Sequence, residues 1–477
     1  MARVAALQRD GRLTDRRGAR RRRAHPGRRL HLPRHRRRGH RRPADGAPQA
    51  VTVSARQIFA LALPALGVLS ATPLYLLLDT AVVGRLGAFE LAALAVGTTV
   101  QSTVTTQLTF LSYGTTARAS RLYGSGRRAD AVAEGVQATW VGLGVGLTLA
   151  AIVFTLAGRI GEWLTGDPEI AAAAAEWIRI ESIAIPLTLI IMAGNGWLRG
   201  VQNTRSPLWY TLSGVIPGAI LIPVLVGEFG LPGSAMANVV GITITSTLFL
   251  LALRREHSGS WRPRWSIMKR QLVMGRDLIL RSLSFQVAFI SAAAVAARFG
   301  TASLAAHQIL LQLWNFITLV LDSLAIAAQA LTGAALGRGT VDVAKQVGQK
   351  VTLYSAVFAA GLGAVFALGA GVIPRIFSTD SGVLAAISGP WWLMILMIIL
   401  GGVVFALDGV LLGASDAAFL RTITIISVLG GFLPGVWLAL LLDAGLTGIW
   451  CGLVAFIVIR LVAVVWRFRS MRWAVVE

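Results

Sequence analysis

Three carboxylates stand inside uninterrupted apolar runs: Asp79 in LYLLLDTAVVG, Asp322 in FITLVLDSLAIAAQ and Asp408 in VVFALDGVLLG. An acid at the centre of a membrane span costs about 2.5–3.5 kcal/mol, so each is a candidate for handling an ion or proton. The chemistry they suit is reversible cation holding rather than bond making. Asp79 has the richest surroundings. Tyr75 lies one helical turn before it on the same face. Pro64 and Pro73 share its run, and each removes a backbone hydrogen bond and invites a bend. A titratable group on a bendable helix makes a two-state element that takes a cation on one side and releases it on the other. The competing reading for all three acids is a structural carboxyl hydrogen-bonded to a neighbouring helix.

Other polar residues in apolar runs are candidates for lining a cavity. Gln101 and Thr105 lie in the hydroxyl-rich stretch TTVQSTVTTQLTFLSYGTT, and Asn195 and Asn238 lie in later runs. Gln286 and Arg281 are expected to face a cavity in the second half of the chain. Against this, hydroxyls often bond only their own helix. His307 opens its run and reads as an interfacial, satisfied histidine. No HExxH, GxSxG or paired-carboxylate motif occurs in a span, so an enzyme is not expected. Nor is a cofactor or bound metal expected. The single cysteine, Cys451, excludes an internal disulfide.

Only a polytopic membrane protein can position such groups. Apolar residues make up 55% of the 477 residues and charged residues 14%, against about 25% charge in soluble domains. Runs of spanning length recur throughout, giving about twelve helices. The chain also repeats itself at a constant offset of 213 residues, as from Arg85 to Arg298. Gly87 recurs as Gly300, Leu91-Ala92-Ala93 as Leu304-Ala305-Ala306, Gly124 and Gly126 as Gly337 and Gly339, and Leu198 and Gly200 as Leu411 and Gly413. The expected fold is therefore all-α, with two six-helix lobes related by a pseudo-twofold parallel repeat, as in many transporters. The lobes are expected at 51–254 and 272–477, joined by a linker at 255–271. The repeat also maps differences. Asp79 corresponds to Ala292, Asp408 to Asn195 and Asp322 to Thr109.

Arg and Lys concentrate in alternate loops, among them Arg118, Arg121, Arg127, Arg128, Arg199, Arg205 and the stretch from Arg254 to Arg270. By the positive-inside rule both termini are expected in the cytoplasm, in a multi-pass protein of the inner (plasma) membrane. Residues 1–50 form an Arg-dominated head without Lys, carrying about +14 of the formal net charge of +23. It reads as a disordered tail, as a binder of nucleic acid or anionic lipid, or as GC-rich sequence translated ahead of a true start at Val51 or Val53. No nucleic-acid role is expected of the protein as a whole. The expected partners are small organic substrates and membrane lipids, with the chain a monomer.

LDTAVVGRLG, LRGVQNTRSP, RDLILRSL, LDSLAIAAQALTGAALG and ALDGVLLGAS resemble the multidrug and toxic compound extrusion (MATE) transporters, in particular their DinF-like branch. The resemblance runs from about residue 56 to 470. It implies two six-helix lobes around a cleft and efflux of organic, often cationic compounds in exchange for H⁺ or Na⁺. By the same resemblance Asp79 matches the first-helix coupling acid, Tyr75 an aromatic residue of the amino-terminal cavity, Pro64 the proline where that helix bends, and Asp408 a tenth-helix acid. The chain departs from the family in its fifth helix, which holds no acid before Glu228, and at Gln329, where relatives often carry an acid. A lone deep carboxylate in the amino-terminal lobe suits H⁺ better than Na⁺, which prefers several oxygen ligands. The expected function is thus secondary active, proton-coupled efflux of cationic amphipathic compounds by alternating access. The rival reading is a flippase for a lipid or lipid-linked substrate, disfavoured because Arg281 is the main basic residue expected within a span.

Overall fold

Helix boundaries follow the repeat almost residue for residue. The computed structural model describes residues 53–476; the Arg-rich head, its proposed partners and the proposed start at Val51 lie outside them. The first half contains α1 (Ala55–Val83), α2 (Ala88–Leu108), α3 (Phe110–Gly124), α4 (Arg128–Thr165), α5 (Pro168–Ser182), α6 (Ala184–Gly200), α7 (Arg205–Phe229) and α8 (Leu231–Glu256). The second contains α9 (Trp265–Arg298), α10 (Thr301–Gly337), α11 (Val341–Leu368), the short α12 (Ile373–Phe377), α13 (Ser381–Gly413), α14 (Ala417–Ser427), a π-helical turn (Val428–Phe432), α15 (Leu433–Leu441) and α16 (Gly445–Arg469).

Among the described residues ten of these segments are long and apolar enough to cross a membrane, and the bent pair α5–α6 makes an eleventh. The segment α2–α3 is the counterpart of α10 and completes six per half. The turns repeat as well. Asp167 and Asp380 each cap the following helix by accepting two backbone N–H groups. The left-handed residues Gly126, Gln202 and Gly230 recur as Gly339, Ser415 and Asp443. The link between halves is shorter than the expected 255–271, because α9 already begins at Trp265. That link is pinned to α4: Trp140 Nε1 donates to the Trp261 carbonyl at 2.7 Å, and the Arg264 N–H donates to Gln137 Oε1 at 2.6 Å.

The halves differ where their prolines differ. At Ile183 the axis turns by 43° between α5 and α6. Pro186 has no N–H to return to the Ser182 carbonyl, which frees that turn. Its counterpart is Ile399, and α13 runs unbroken. Conversely Pro434 follows the π turn in the second half, where the first half has Leu221 and a regular α7. Helix α1 continues through both Pro64 and Pro73.

The two halves meet most closely at the ends of α3 and α10. A Cβ built on Gly124 would lie 2.0 Å from the Ala334 carbonyl oxygen, and one on Gly337 would lie 2.0 Å from that of Arg121. Ala334 is the repeat partner of Arg121, so the pseudo-twofold axis passes between these crossings. Only residues without a side chain allow backbones so close. At the other end the central helices separate. Thr99, Ser102, Thr103 and Thr106 are exposed on one face of α2, and the corresponding face of α10 exposes Gln312, Asn315 and Phe316. Exposed hydroxyls and amides thus recur at symmetry-related positions of the two lobes. His307, expected at an interface, is instead wholly buried; its Nδ1 accepts from Trp450 Nε1 at 3.3 Å.

Candidate functional site

Helices α1, α2, α5 and α8 bring the acids and amides of the amino-terminal lobe together. Asp79 is 2% exposed. Its Oδ2 accepts from Ser234 Oγ at 2.8 Å, and Ser234 accepts in turn from Trp177 Nε1 at 3.2 Å. One turn further along both α5 and α8 lies a second rung, with Glu181 four residues after Trp177 and Asn238 four after Ser234. Glu181 Oε1 accepts from Gln101 Nε2 at 2.5 Å and from Asn238 Nδ2 at 2.6 Å. Among α1, α2, α5 and α8 the lobe therefore holds two buried carboxylates, not one, and the argument for H⁺ from a lone acid does not stand. Glu181 is hard to find in the sequence because Glu176 and Arg179 crowd it and make its segment look interfacial. Its heptad spacing from the buried Ala174 was the available signal.

Next to these rungs lies a cavity of about 220 Å³, lined by Tyr75, Gln101, Thr105, Asn195, Arg199 and Asn238 among others. A small crevice of about 30 Å³ shares Gln101, Thr105 and Thr188 with it and is walled by Glu181. Tyr75, Gln101, Thr105, Asn195 and Asn238 all stand on its wall. Around it, Tyr75 Oη, Asp79 Oδ1, Glu181 Oε2 and Asn195 Oδ1 are buried with no hydrogen-bond partner in the protein. Buried polar atoms of native proteins are seldom left so, and their clustering marks a place built for an exchangeable ligand. Among the described residues no group of three His, Cys, Asp or Glu side chains gathers to hold a metal.

The other two acids have different partners. Asp408 Oδ2 accepts from Arg281 Nη2 at 2.6 Å and also from Arg460 Nη2. Two guanidiniums thus already face this carboxylate, and both stack on Phe285. Arg281 is consequently part of an ion cluster, with 16% of its side chain exposed. Asp322 Oδ2 accepts from Tyr113 Oη of the opposite lobe at 2.5 Å. Gln286 also reaches across, accepting from Gln107 Nε2 at 3.3 Å. Arg199, which the loop count placed outside the membrane region, is 5% exposed and donates from Nη1 to Ser112 Oγ at 3.2 Å.

The repeat shows that the matching positions of the carboxy-terminal lobe carry different side chains. Around the open space stand Val68, Thr72 and Asn195. Their counterparts are Arg281, Phe285 and Asp408, the members of the packed cluster. Asp79, Gln101, Glu181 and Asn238 likewise become Ala292, Trp314, Met394 and Cys451.

The MatE family model matches residues 64–224 and 278–437, once in each half. The chain belongs to the MatE family. It is a multi-pass membrane protein of two homologous lobes. Protein DETOXIFICATION 44, chloroplastic, of Arabidopsis thaliana is 30% identical, over 86% of this chain and 81% of that protein. DNA damage-inducible protein F of Escherichia coli (strain K12) is 28% identical, over 89% of this chain and 95% of that protein. Multidrug resistance protein MdtK of Yersinia pseudotuberculosis is 26% identical, over 89% and 97%. A crystal structure of MATE in the bent conformation superposes with a TM-score of 0.82 at 20% identity, covering 87% of this chain and 96% of that one. That likeness places the MatE fold on the whole helical body.

Proposed function

We propose that this MatE protein is a secondary active exporter of amphipathic organic compounds, exchanged for protons, and that Asp79 and Glu181 together carry the coupling. The observation that carries the reading is the pair of rungs Asp79–Ser234–Trp177 and Gln101–Glu181–Asn238 beside an amphipathic cavity. Drug and toxin efflux is in keeping with relatives named for multidrug resistance. A plasma-membrane location with both termini in the cytoplasm is in keeping with the placement of the Arg-rich loops.

Proton coupling is favoured by what faces the acids. Glu181 is met by two amide N–H donors and Asp79 by a hydroxyl. A Na⁺ site would draw its further oxygens from Tyr75 and Asn195, neutral groups that leave the two carboxylates as the only charged ligands. A cationic group on the cargo would meet Glu181, whose Oε2 has no partner. In the cycle, cargo occupies the cavity while the carboxylates are ionised. With the cleft open outward a proton binds, α1 bends where Pro64 and Pro73 weaken it, the cavity reshapes and cargo leaves. Exchange of one proton for one monovalent cation moves no net charge, so the pH difference drives it, at about 1.4 kcal/mol or a tenfold concentration ratio per pH unit. The flippase reading would draw on a different site, the cavity of about 920 Å³ lined by Arg118, Arg121, Arg264, Lys269 and Arg270, which lacks the two rungs.

The test is export of an organic cation from proteoliposomes under a pH gradient and, separately, a Na⁺ gradient. The pH gradient is expected to drive it, and Asp79→Asn and Glu181→Gln are each expected to insert normally and lose it. Undiminished proton-driven export by either variant would remove that residue from the coupling site.

A further inference from the structure

We infer that Arg199 is a subsite for an acidic group, carboxylate or phosphate, on the transported molecule. This rests on the efflux reading and adds a second chemical requirement for its cargo.

Two guanidiniums, Arg199 and Arg460, are buried, and that of Arg281 is 16% exposed. Arg281 and Arg460 share Asp408. Among the described residues Arg199 has no carboxylate within ion-pair distance, and its one hydrogen bond is to the neutral hydroxyl of Ser112. Asp322 is engaged by Tyr113 instead. A buried cation is ordinarily paired, because an unpaired one loses its hydration without compensation. Here Asp322 is near enough to act on Arg199 electrostatically but makes no contact pair with it, and among the described residues Arg199 is the one charged side chain lining the 220 Å³ cavity.

The internal repeat shows what is missing. In the second lobe two arginines share the carboxylate of Asp408. The matching position in the first lobe is Asn195, neutral, lining the cavity, with Oδ1 unpartnered and one turn from Arg199 on α6. An acidic group entering the cavity would stand to Arg199 as Asp408 stands to Arg281 and Arg460. The apolar wall from Val68, Leu69, Ile191 and Met192 would take the rest of the molecule. A guanidinium presents a planar fork of donors suited to carboxylate or phosphate.

The experiment is equilibrium dialysis of the purified full chain, in neutral detergent and with no ion gradient, against dansylglycine and dansylglycinamide. These probes differ only in the carboxylate. The wild type is expected to hold dansylglycine about tenfold more tightly, the scale of one charged hydrogen bond. Arg199→Gln should erase the preference and Arg199→Lys should keep most of it. Should Arg199→Gln fail to fold, Asn195→Asp serves instead. It places an internal acid one turn away, as in the second lobe, and should abolish the preference. Equal binding of both probes by the wild type, or a preference that survives Asn195→Asp, would overturn the assignment. Displacement of dansylglycine by phosphatidylglycerol but not by free glycerol phosphate would also overturn it, placing a lipid headgroup there. Because binding is read without a gradient, loss of proton coupling and loss of the acid subsite are separate results.

Discussion

Tyr113 of the first lobe donates its phenolic hydrogen to Asp322 of the second across a 2.5 Å bond. On the same two helices Gln329 Nε2 donates to the Tyr113 carbonyl at 2.8 Å. These bonds join α3 to α10 just beyond the cleft, toward the end where Gly124 and Gly337 cross. A hydrogen bond to a charged group is worth about 1.5–3 kcal/mol, enough to change a two-state ratio about tenfold or more. Tyr113→Phe should therefore populate a state with this end open. Spin labels at Ser125 and Arg338, symmetry-related and exposed, would report it in a background where Cys451 is replaced by Ser. Longer distances are expected in Tyr113→Phe. An unchanged distribution would mean the bond does not latch the lobes.

The glycine crossing sets a steric limit on the same closure. Gly124→Ala and Gly337→Ala each place a methyl group 2.0 Å from a backbone oxygen that cannot swing aside. The lobes must then stay apart at this end, and alternating access loses one of its states. Both variants should run as folded monomers in size-exclusion chromatography and show export reduced tenfold or more. Gly144→Ala is the control, since a Cβ there meets nothing within 4 Å. If Gly124→Ala exports like Gly144→Ala, the crossing is not part of the cycle.

The repeat made the fold legible before any coordinates, because glycine crossings, caps and left-handed turns are set by backbone geometry that both halves must satisfy. Asp79 was legible for the opposite reason: an acid in a run of leucines has no local excuse. Glu181 and Arg199 were not, since each sits near other charges and resembles the end of a span. Only the bend at Ile183, which reorients α6 relative to α5, carries the one to the side of Asn238 and the other to the cavity wall. Asp408 was legible as a buried acid, but its neutralisation depends on Arg460, 52 residues away in sequence. Pairing at such separation is a property of helix packing, which periodicity does not report.

Asp408 can be assigned by stability rather than by transport alone. As a coupling acid it would lose function on conversion to Asn and keep its fold, because cycling demands that the site tolerate the neutral form. As the shared counter-ion of Arg281 and Arg460, its neutralisation strands two guanidiniums, whose Nε atoms already lack partners. Breaking a buried pair from one side typically costs about 3–5 kcal/mol, whereas replacing the whole cluster by apolar residues is often neutral. Asp408→Asn should thus lower the melting temperature in detergent substantially. The triple variant Asp408→Leu, Arg281→Leu, Arg460→Leu should recover much of the loss, with Phe285 and Phe456 providing an apolar surround. Thermal unfolding of the single and triple variants decides the matter. A single variant as stable as the wild type but inactive in proton-driven export would return Asp408 to the coupling site.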